Sequence, residues 1–310
     1  MRVAGHLTKR RSVAGIFLLL ASVWATWARA QNAASPDALR TQSLDVSDNL
    51  YLVSGGGGNS LLMTGDHGVV LVDTKLAGHG RALLDVAASI SDQPVTTVIY
   101  THAHVDHTGS SRELPTLRQI VAHENTKAIM ERMDAFKGAG ARFLPGTAFQ
   151  ETMSLGEGRD RINLYYFGAG HTSGDIVVAF PAKRVAYLGD LFPGKSVPVV
   201  DATGGGSFVA WPQTLARVVA ELKGITKIIP GHSVPPLGSP LGRWITMADL
   251  EEYSNFTRDF LATVQAAFKA GKTVDEAASS LQLSERYPAY TFDNARAGVQ
   301  AIYAELNVKR

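Results

Sequence analysis

Thr101-His102-Ala103-His104-Val105-Asp106-His107-Thr108-Gly109 follows directly on Val95-Thr96-Thr97-Val98-Ile99-Tyr100, a β-branched run suited to a buried strand. Four potential metal ligands thus fall within six residues at a strand end. In extended backbone, positions i and i+2 point the same way, so His102 and His104 can close on one cation; on a helix they would point apart. Asp106 and His107, adjacent and pointing differently, are left for a second cation. Four desolvated polar groups with no cation among them would be costly.

Further along, each of three more candidates sits just beyond a strand with glycine before it. His171 ends Phe167-Gly168-Ala169-Gly170-His171, Asp190 ends Tyr187-Leu188-Gly189-Asp190, and His232 ends Ile229-Pro230-Gly231-His232. A tight glycine turn can bring the backbone close to a site, and α/β domains gather function at strand ends. His67, His79 and His123 read instead as hydrogen-bonded structural residues.

The chain of 310 residues, 45% hydrophobic and 19% charged, is long enough for one large domain or two small ones, and the mixture excludes disorder, collagen and coiled coil. It contains no cysteine, which removes disulfide scaffolds, thiolate zinc fingers, a cysteine nucleophile and iron–sulfur clusters. Any metal must therefore be held by nitrogen and oxygen. The formal charge of +2 is misleading, because residues 1–30 hold Arg2, Lys9, Arg10, Arg11 and Arg29 and no acid. Of the 30 basic residues, 25 remain beyond that segment against 28 acidic ones, a net of −3 that gives no support for nucleic-acid binding.

Residues 1–30 read as a signal peptide: Lys9-Arg10-Arg11, an apolar run from Val13 to Ala25, and Ala28-Arg29-Ala30 before Gln31. The alternative is an uncleaved membrane anchor, since apolar character continues almost to Trp27. Ser22 and Thr26 interrupt the run, and it is short for a span of roughly 20 residues. Arg10-Arg11 hints at twin-arginine export. The expectation is a periplasmic or secreted protein with no stable membrane span after cleavage.

Residues 31–48 read as a polar linker. Leu50–Val53, Ser60–Thr64 and Val69–Asp73, separated by turn residues, predict an antiparallel meander. Helical spacing covers Leu76–Ile90, a strand Gln119–Ala122, and a helix Glu124–Met133; the Gly/Pro-punctuated stretch from Lys137 to Gln150 is long enough for a lid or rim. Ile162–Phe167, Ile176–Phe180, Val185–Leu188 and Lys227–Ile229 read as strands, with a helix at Pro212–Leu222. Helices are expected at Met247–Ala270, Val274–Leu281 and Asn294–Leu306, the last weakened by Gly298. Strands followed by helix in each half predict an α/β fold, two sheets packed face to face with helices outside.

The Thr101–Gly109 motif, with His171, Asp190 and His232 in order downstream, resembles the metallo-β-lactamase fold superfamily over roughly Leu50 to His232. The resemblance implies a four-layer αβ/βα sandwich with the site along one sheet edge: a domain at 49–240, followed by a C-terminal helical extension at 241–310 packed on it. It implies that His102, His104 and His171 hold a first metal, that Asp106, His107 and His232 hold a second, and that Asp190 bridges. Asp73 matches the superfamily's early aspartate, which would orient a ligand histidine; a strand-end turn aspartate is the other reading.

Such a donor set suits two Zn2+ per chain first, with iron or manganese possible. Two cations about 3.5–4 Å apart can share a hydroxide and polarise an electrophile, and Asp106 is the expected catalytic residue, orienting that hydroxide and moving a proton. Lactamases with a cysteine ligand have it where Asp190 stands, so this chain is not expected among them. The bridging aspartate is similar to thioesterases, lactonases, sulfatases and phosphodiesterases. The expected activity is hydrolysis of an ester, lactone, thioester or amide in a small-molecule substrate. A weak β-lactamase, or an iron-dependent sulfur dioxygenase or redox accessory protein, remains as the alternative. Near the site, Gly55-Gly56-Gly57-Gly58-Asn59-Ser60 reads as a hairpin turn or a mobile flap. Thr203–Phe208 reads as a linker or a substrate approach, and Tyr287–Tyr290 as core packing or pocket wall.

Overall fold

The computed structural model describes residues 38–44, 49–232 and 243–308. The leader expected at 1–30 lies outside the described residues. Residues from Leu39 onward form one compact unit.

The first sheet has seven strands in sequence order: β1 (Arg40–Ser43), β2 (Leu50–Ser54), β3 (Ser60–Gly65), β4 (Gly68–Val72), β5 (Val95–Ile99), β6 (Gln119–His123) and β7 (Thr147–Phe149). Pairing is antiparallel from β1 to β4 and parallel from β4 to β7. The second sheet runs β12-β11-β10-β9-β8, built from β8 (Thr152–Leu155), β9 (Ile162–Tyr166), β10 (Ile176–Phe180), β11 (Val185–Tyr187) and β12 (Lys227–Ile229). Its pairs are antiparallel except β11 with β12. The helices are α1 (Gly80–Ile90), α2 (Val105–Thr108), α3 (Glu124–Met130), α4 (Trp211–Glu221), α5 (Met247–Lys269), α6 (Val274–Ser279) and α7 (Ala295–Val308).

The alternation of side chains along each strand sorts the core into layers. Leu50, Leu52, Leu61, Val72 and Ile99 of the first sheet meet Leu164, Ile176, Val178, Phe180 and Tyr187 of the second in a central core. Their neighbours point outward: Val53, Leu62, Leu71 and Val98 pack with Leu83 and Ala87 of α1 and Met130 of α3. On the opposite side Val177, Ala179, Ala186 and Ile228 pack under Trp211 and Leu215 of α4, Phe256 and Phe260 of α5, and Val299 and Ile302 of α7. The α/β class and the four-layer sandwich of helices, two sheets and helices follow from this burial, and α5 and α7 share the outer core with the second sheet. Among the described residues no helix is long and apolar enough to cross a membrane.

Several details differ from the expectation. The stretch read as a linker contributes β1, which pairs with β2 from Arg40↔Ser54 to Ser43↔Tyr51. α1 starts at Gly80 rather than Leu76, because Gly78 (φ 94) holds left-handed backbone that a helix cannot include. The stretch from Lys137 to Gln150 is no lid: it forms a 3-10 turn at Gly138–Phe143 and then β7. Phe143 is buried on the first sheet, and its carbonyl accepts the Tyr100 hydroxyl at 3.3 Å. Gly298 has a packing reason, since a Cβ there would stand 3.0–3.3 Å from Val197, Phe208 and Phe260.

Candidate metal centre

Strands β5, β9, β11 and β12 release their chains at one edge of the sandwich, and the predicted ligands sit on the loops that leave them. His104 keeps extended backbone (φ −63, ψ 147) as the cap of α2, and the single turn of α2 carries Asp106 and His107 away from it. The local fold thus splits the motif into two pairs.

All seven predicted residues converge. His102, His104, His171 and Asp190 present ligand atoms within 4.8 Å of one another, and Asp106, His107 and His232 form a second such group. In the first, His171 Nε2 faces His104 Nδ1 at 2.8 Å. In the second, Asp106 Oδ2 lies 3.5 Å from His107 Nε2 and 3.3 Å from His232 Nε2. Asp190 touches both: Oδ2 is 3.5 Å from His171 Nε2 and 3.3 Å from His232 Nε2, while Oδ1 is 3.4 Å from His107 Nε2.

Outer partners fix which nitrogen of each ring faces inward. His104 Nε2 donates to Asp201 Oδ2 (2.9 Å), His171 Nδ1 to the Val199 carbonyl (2.6 Å), His107 Nδ1 to Asp73 Oδ2 (2.7 Å) and His102 Nδ1 to Thr101 Oγ1 (3.0 Å). These partners turn the other nitrogen of each ring inward, and the neutral imidazole with its proton on the outer nitrogen is the form that binds a cation. Asp73 is fully buried and also accepts Thr101 N (2.8 Å), Thr101 Oγ1 (2.7 Å) and the Tyr187 hydroxyl (3.0 Å), so it orients His107 rather than merely closing a turn.

Charge balance shows what the cluster lacks. His102 Nε2, His107 Nε2 and Asp190 Oδ1 are buried with no hydrogen-bond partner, which is expensive unless an ion takes them. Burial, then His107, pushes the His102 cation far below its usual range. Burial also opposes the His107 cation, but the Asp73 carboxylate, with Asp190, raises it to about 10. Hydrogen bonds that it donates to Asp106 and Asp190 lift His232 to about 9. Burial disfavours the Asp190 carboxylate, yet His107 and His232 hold it well below the usual carboxylate range. The cluster demands positive charge, and its nitrogen–oxygen donor set fits a pair of divalent cations.

Of the other described histidines, His67 is exposed, His79 packs against Gly56, and His123 donates from Nε2 to the Gln150 carbonyl (2.7 Å) and stacks on Tyr166. The Gly55–Ser60 connection joins β2 to β3 and is fastened to the site: Gly58 N donates to Asp106 O (3.1 Å) and Asn59 N to Gly231 O (2.7 Å). In the Thr203–Phe208 segment the glycines serve the close approach to the His171 loop, since a Cβ on Gly206 would be 2.2 Å from His171 O. Tyr287 and Tyr290 are buried in the core beside Phe256. Sequence reasoning missed Asp201 and Lys75, which belong to no motif, and the role of Tyr187, which it met only as part of the strand before Asp190. An acid in the glycine-rich stretch after Asp190 was the one available signal for Asp201.

Residues 53–232 match the family model described as the metallo-beta-lactamase superfamily, more than half of the chain, and the chain belongs to that superfamily. Its homologues in that superfamily are metal-dependent hydrolases. Among relatives, it is 31% identical over 159 residues to the 2,4-dinitroanisole O-demethylase subunit alpha of Nocardioides sp. (strain JS1661), a match that covers 50% of this chain and 48% of that protein, so it spans about half the length of this relative. It is 24% identical over 229 residues to a type 2 metallo-beta-lactamase of Bacteroides fragilis, covering 70% of this chain and 88% of the relative. The solved metallo-beta-lactamase from Pontibacter korlensis superposes with a TM-score of 0.58 at 18% identity, over 71% of this chain and 99% of that one, and shares the fold.

Proposed function

We propose that the chain is an exported hydrolase that holds two zinc ions and cleaves an ester, lactone, thioester or amide bond in a small molecule. The observation that carries this reading is the pair of ligand groups joined by Asp190, with three buried ligand atoms left unpaired. His102, His104 and His171 would hold the first ion, Asp106, His107 and His232 the second, and Asp190 both. Bound there, such a pair supplies Lewis acidity and a water that loses its proton near neutral pH.

The chain's own groups supply the rest. Asp106 is the more open of the two central acids, its side chain 26% exposed against 11% for Asp190. Burial works against its charge, but His232 and then His107 keep it a carboxylate. It orients the attacking water and passes a proton to the leaving group. His104 and His232, the most exposed of the five imidazoles, mark the face by which substrate enters.

A second reading, β-lactam hydrolysis, is favoured by relatives named as metallo-beta-lactamases. Asp190, in a chain without cysteine, supports the wider ester and lactone class. The test is turnover by metal-replete protein on chromogenic esters, lactones, thioesters, 2,4-dinitroanisole and a cephalosporin, together with elemental analysis. Two zinc per chain and turnover of an ester, lactone or thioester are expected. One iron per chain, or turnover of the cephalosporin alone, would overturn the proposal. Export is tested separately by fractionation and N-terminal sequencing, with a mature start at Gln31 expected.

A further inference from the structure

Lys75 is a fully buried cation to which the hydrolytic reading gives no task. Its backbone is left-handed (φ 70), as is that of Asp73 (φ 60), so the turn leaving β4 sends both side chains toward the metal centre side of the first sheet. The Lys75 amine donates to Val53 O (2.5 Å) and Gly58 O (2.6 Å), and among the described residues it has no carboxylate in ion-pair contact. Burial pushes this amine down to about 7, against the pull of Asp73 and Asp106. A methionine would fill the same space without desolvating a charge, so what the amine adds is its two hydrogen bonds.

The bond to Gly58 ends on a strip of backbone wedged between the two halves of the second ligand group, while the bond to Val53 anchors the amine to β2. A Cβ on Gly58 would stand 2.2 Å from the His107 ring, and one on Gly57 2.9 Å from Asp106 O. Gly58 N holds Asp106 O at 3.1 Å. On the other side Asn59 N holds Gly231 O at 2.7 Å and Asn59 Nδ2 holds Pro230 O at 2.9 Å, next to His232. The Gly57–Asn59 strip is therefore a spacer between Asp106-His107 and His232, and Lys75 grips it from the buried side.

We propose that Lys75 is a positioning residue for the second ion: by holding the Gly58 carbonyl it clamps the Gly55–Asn59 turn against His107 and Gly231 and sets the spacing of Asp106, His107 and His232. The inference rests on the two-ion reading of the site. Its first test needs no metal. In hydrogen exchange on the metal-free full chain, Lys75→Met should speed the Gly58 and Asn59 amides at least about tenfold while α4 amides keep their protection. The second is zinc competition against a chromogenic chelator, where Lys75→Met should weaken one zinc about 10–100-fold, the range for lost outer partners, and leave the other unchanged.

Asn59→Ala releases the strip from the opposite side and should weaken the same zinc, which keeps the idea testable should Lys75→Met fail to fold. Unchanged exchange at residues 58 and 59, or equal weakening of both zinc ions, would overturn the clamp. A parent chain that takes up fewer than two zinc ions would overturn the two-ion reading itself, and this inference with it.

Discussion

Replacing Asp73 by asparagine changes one atom and should disable half of the metal centre. Oδ1 of Asp73 accepts Thr101 N, while Oδ2 accepts Thr101 Oγ1, the Tyr187 hydroxyl and His107 Nδ1. An amide can offer oxygen to only one of these two sets. If its NH2 takes the Oδ2 position it must donate to His107 Nδ1, which drives the imidazole proton onto Nε2, the nitrogen that faces Asp190 and Asp106. If the amide turns round, its NH2 meets the buried Thr101 N–H, donor against donor. Asparagine tolerates the left-handed backbone at this position, so the loss is one of chemistry rather than of folding strain.

The cost to stability is that of one charge-assisted hydrogen bond, about 1.5–3 kcal/mol. The cost to the second ion is about 10–100-fold in affinity, or about 1.4–2.7 kcal/mol. Turnover should fall by at least about 100-fold, because a wrong imidazole tautomer is the kind of defect that costs rate more than binding. Thermal unfolding, zinc titration against a chelator and steady-state kinetics read the three effects, and the ring nitrogen shifts of His107 report where its proton sits. Asp73→Asn protein that binds both ions with the affinity of the parent, and turns over at the parent rate, would refute the reasoning.

Other expectations follow from the same geometry. His102→Ala or His171→Ala should lower both metal content and turnover, and full activity in either variant would contradict the ligand assignment. Asp201→Ala removes the acceptor that fixes His104 and should weaken the first ion by about 10–100-fold in chelator competition with little change in the second. Away from the centre, Asp249 closes the capping box of α5 and accepts both Arg243 nitrogens, at 2.7 and 3.0 Å. Asp249→Asn should cost about 1–2 kcal/mol, which thermal unfolding reads as a fall of roughly 2–8 °C. Burial opposes the Asp249 carboxylate, but Arg243 and Thr246 hold its pKa well below the ordinary value of 3.8. Its contribution is therefore complete above that value and lost as pH falls below it, so the gap between parent and variant should narrow in acid.

β10, at the centre of the second sheet, was legible because burial on both faces leaves an unbroken apolar run, and it has the bounds that Ile176–Phe180 announces. β1 (RTQS) and β8 (TMSL) were not, since they are short and largely exposed and have no such pattern to show. At the site the metal-facing residues could be read from the chain because strand geometry ties spacing to direction, and because glycine marks the turns before His171, Asp190 and His232. The groups behind them could not. Asp201 reaches His104 across 97 residues and Tyr187 reaches Asp73 across 114, contacts made by the packing of two sheets and recorded in no local motif. Lys75 belongs to no motif, and its burial goes with a left-handed backbone that no sequence pattern announces.

Anomalous diffraction at the zinc edge on crystals of the metal-replete protein addresses the central claim most directly. Two peaks about 3.5–4 Å apart are predicted, one among His102, His104 and His171 and the other among Asp106, His107 and His232, with Asp190 reaching both. A single peak, or a centre with no zinc in which His107 and His232 carry protons instead, would contradict the account.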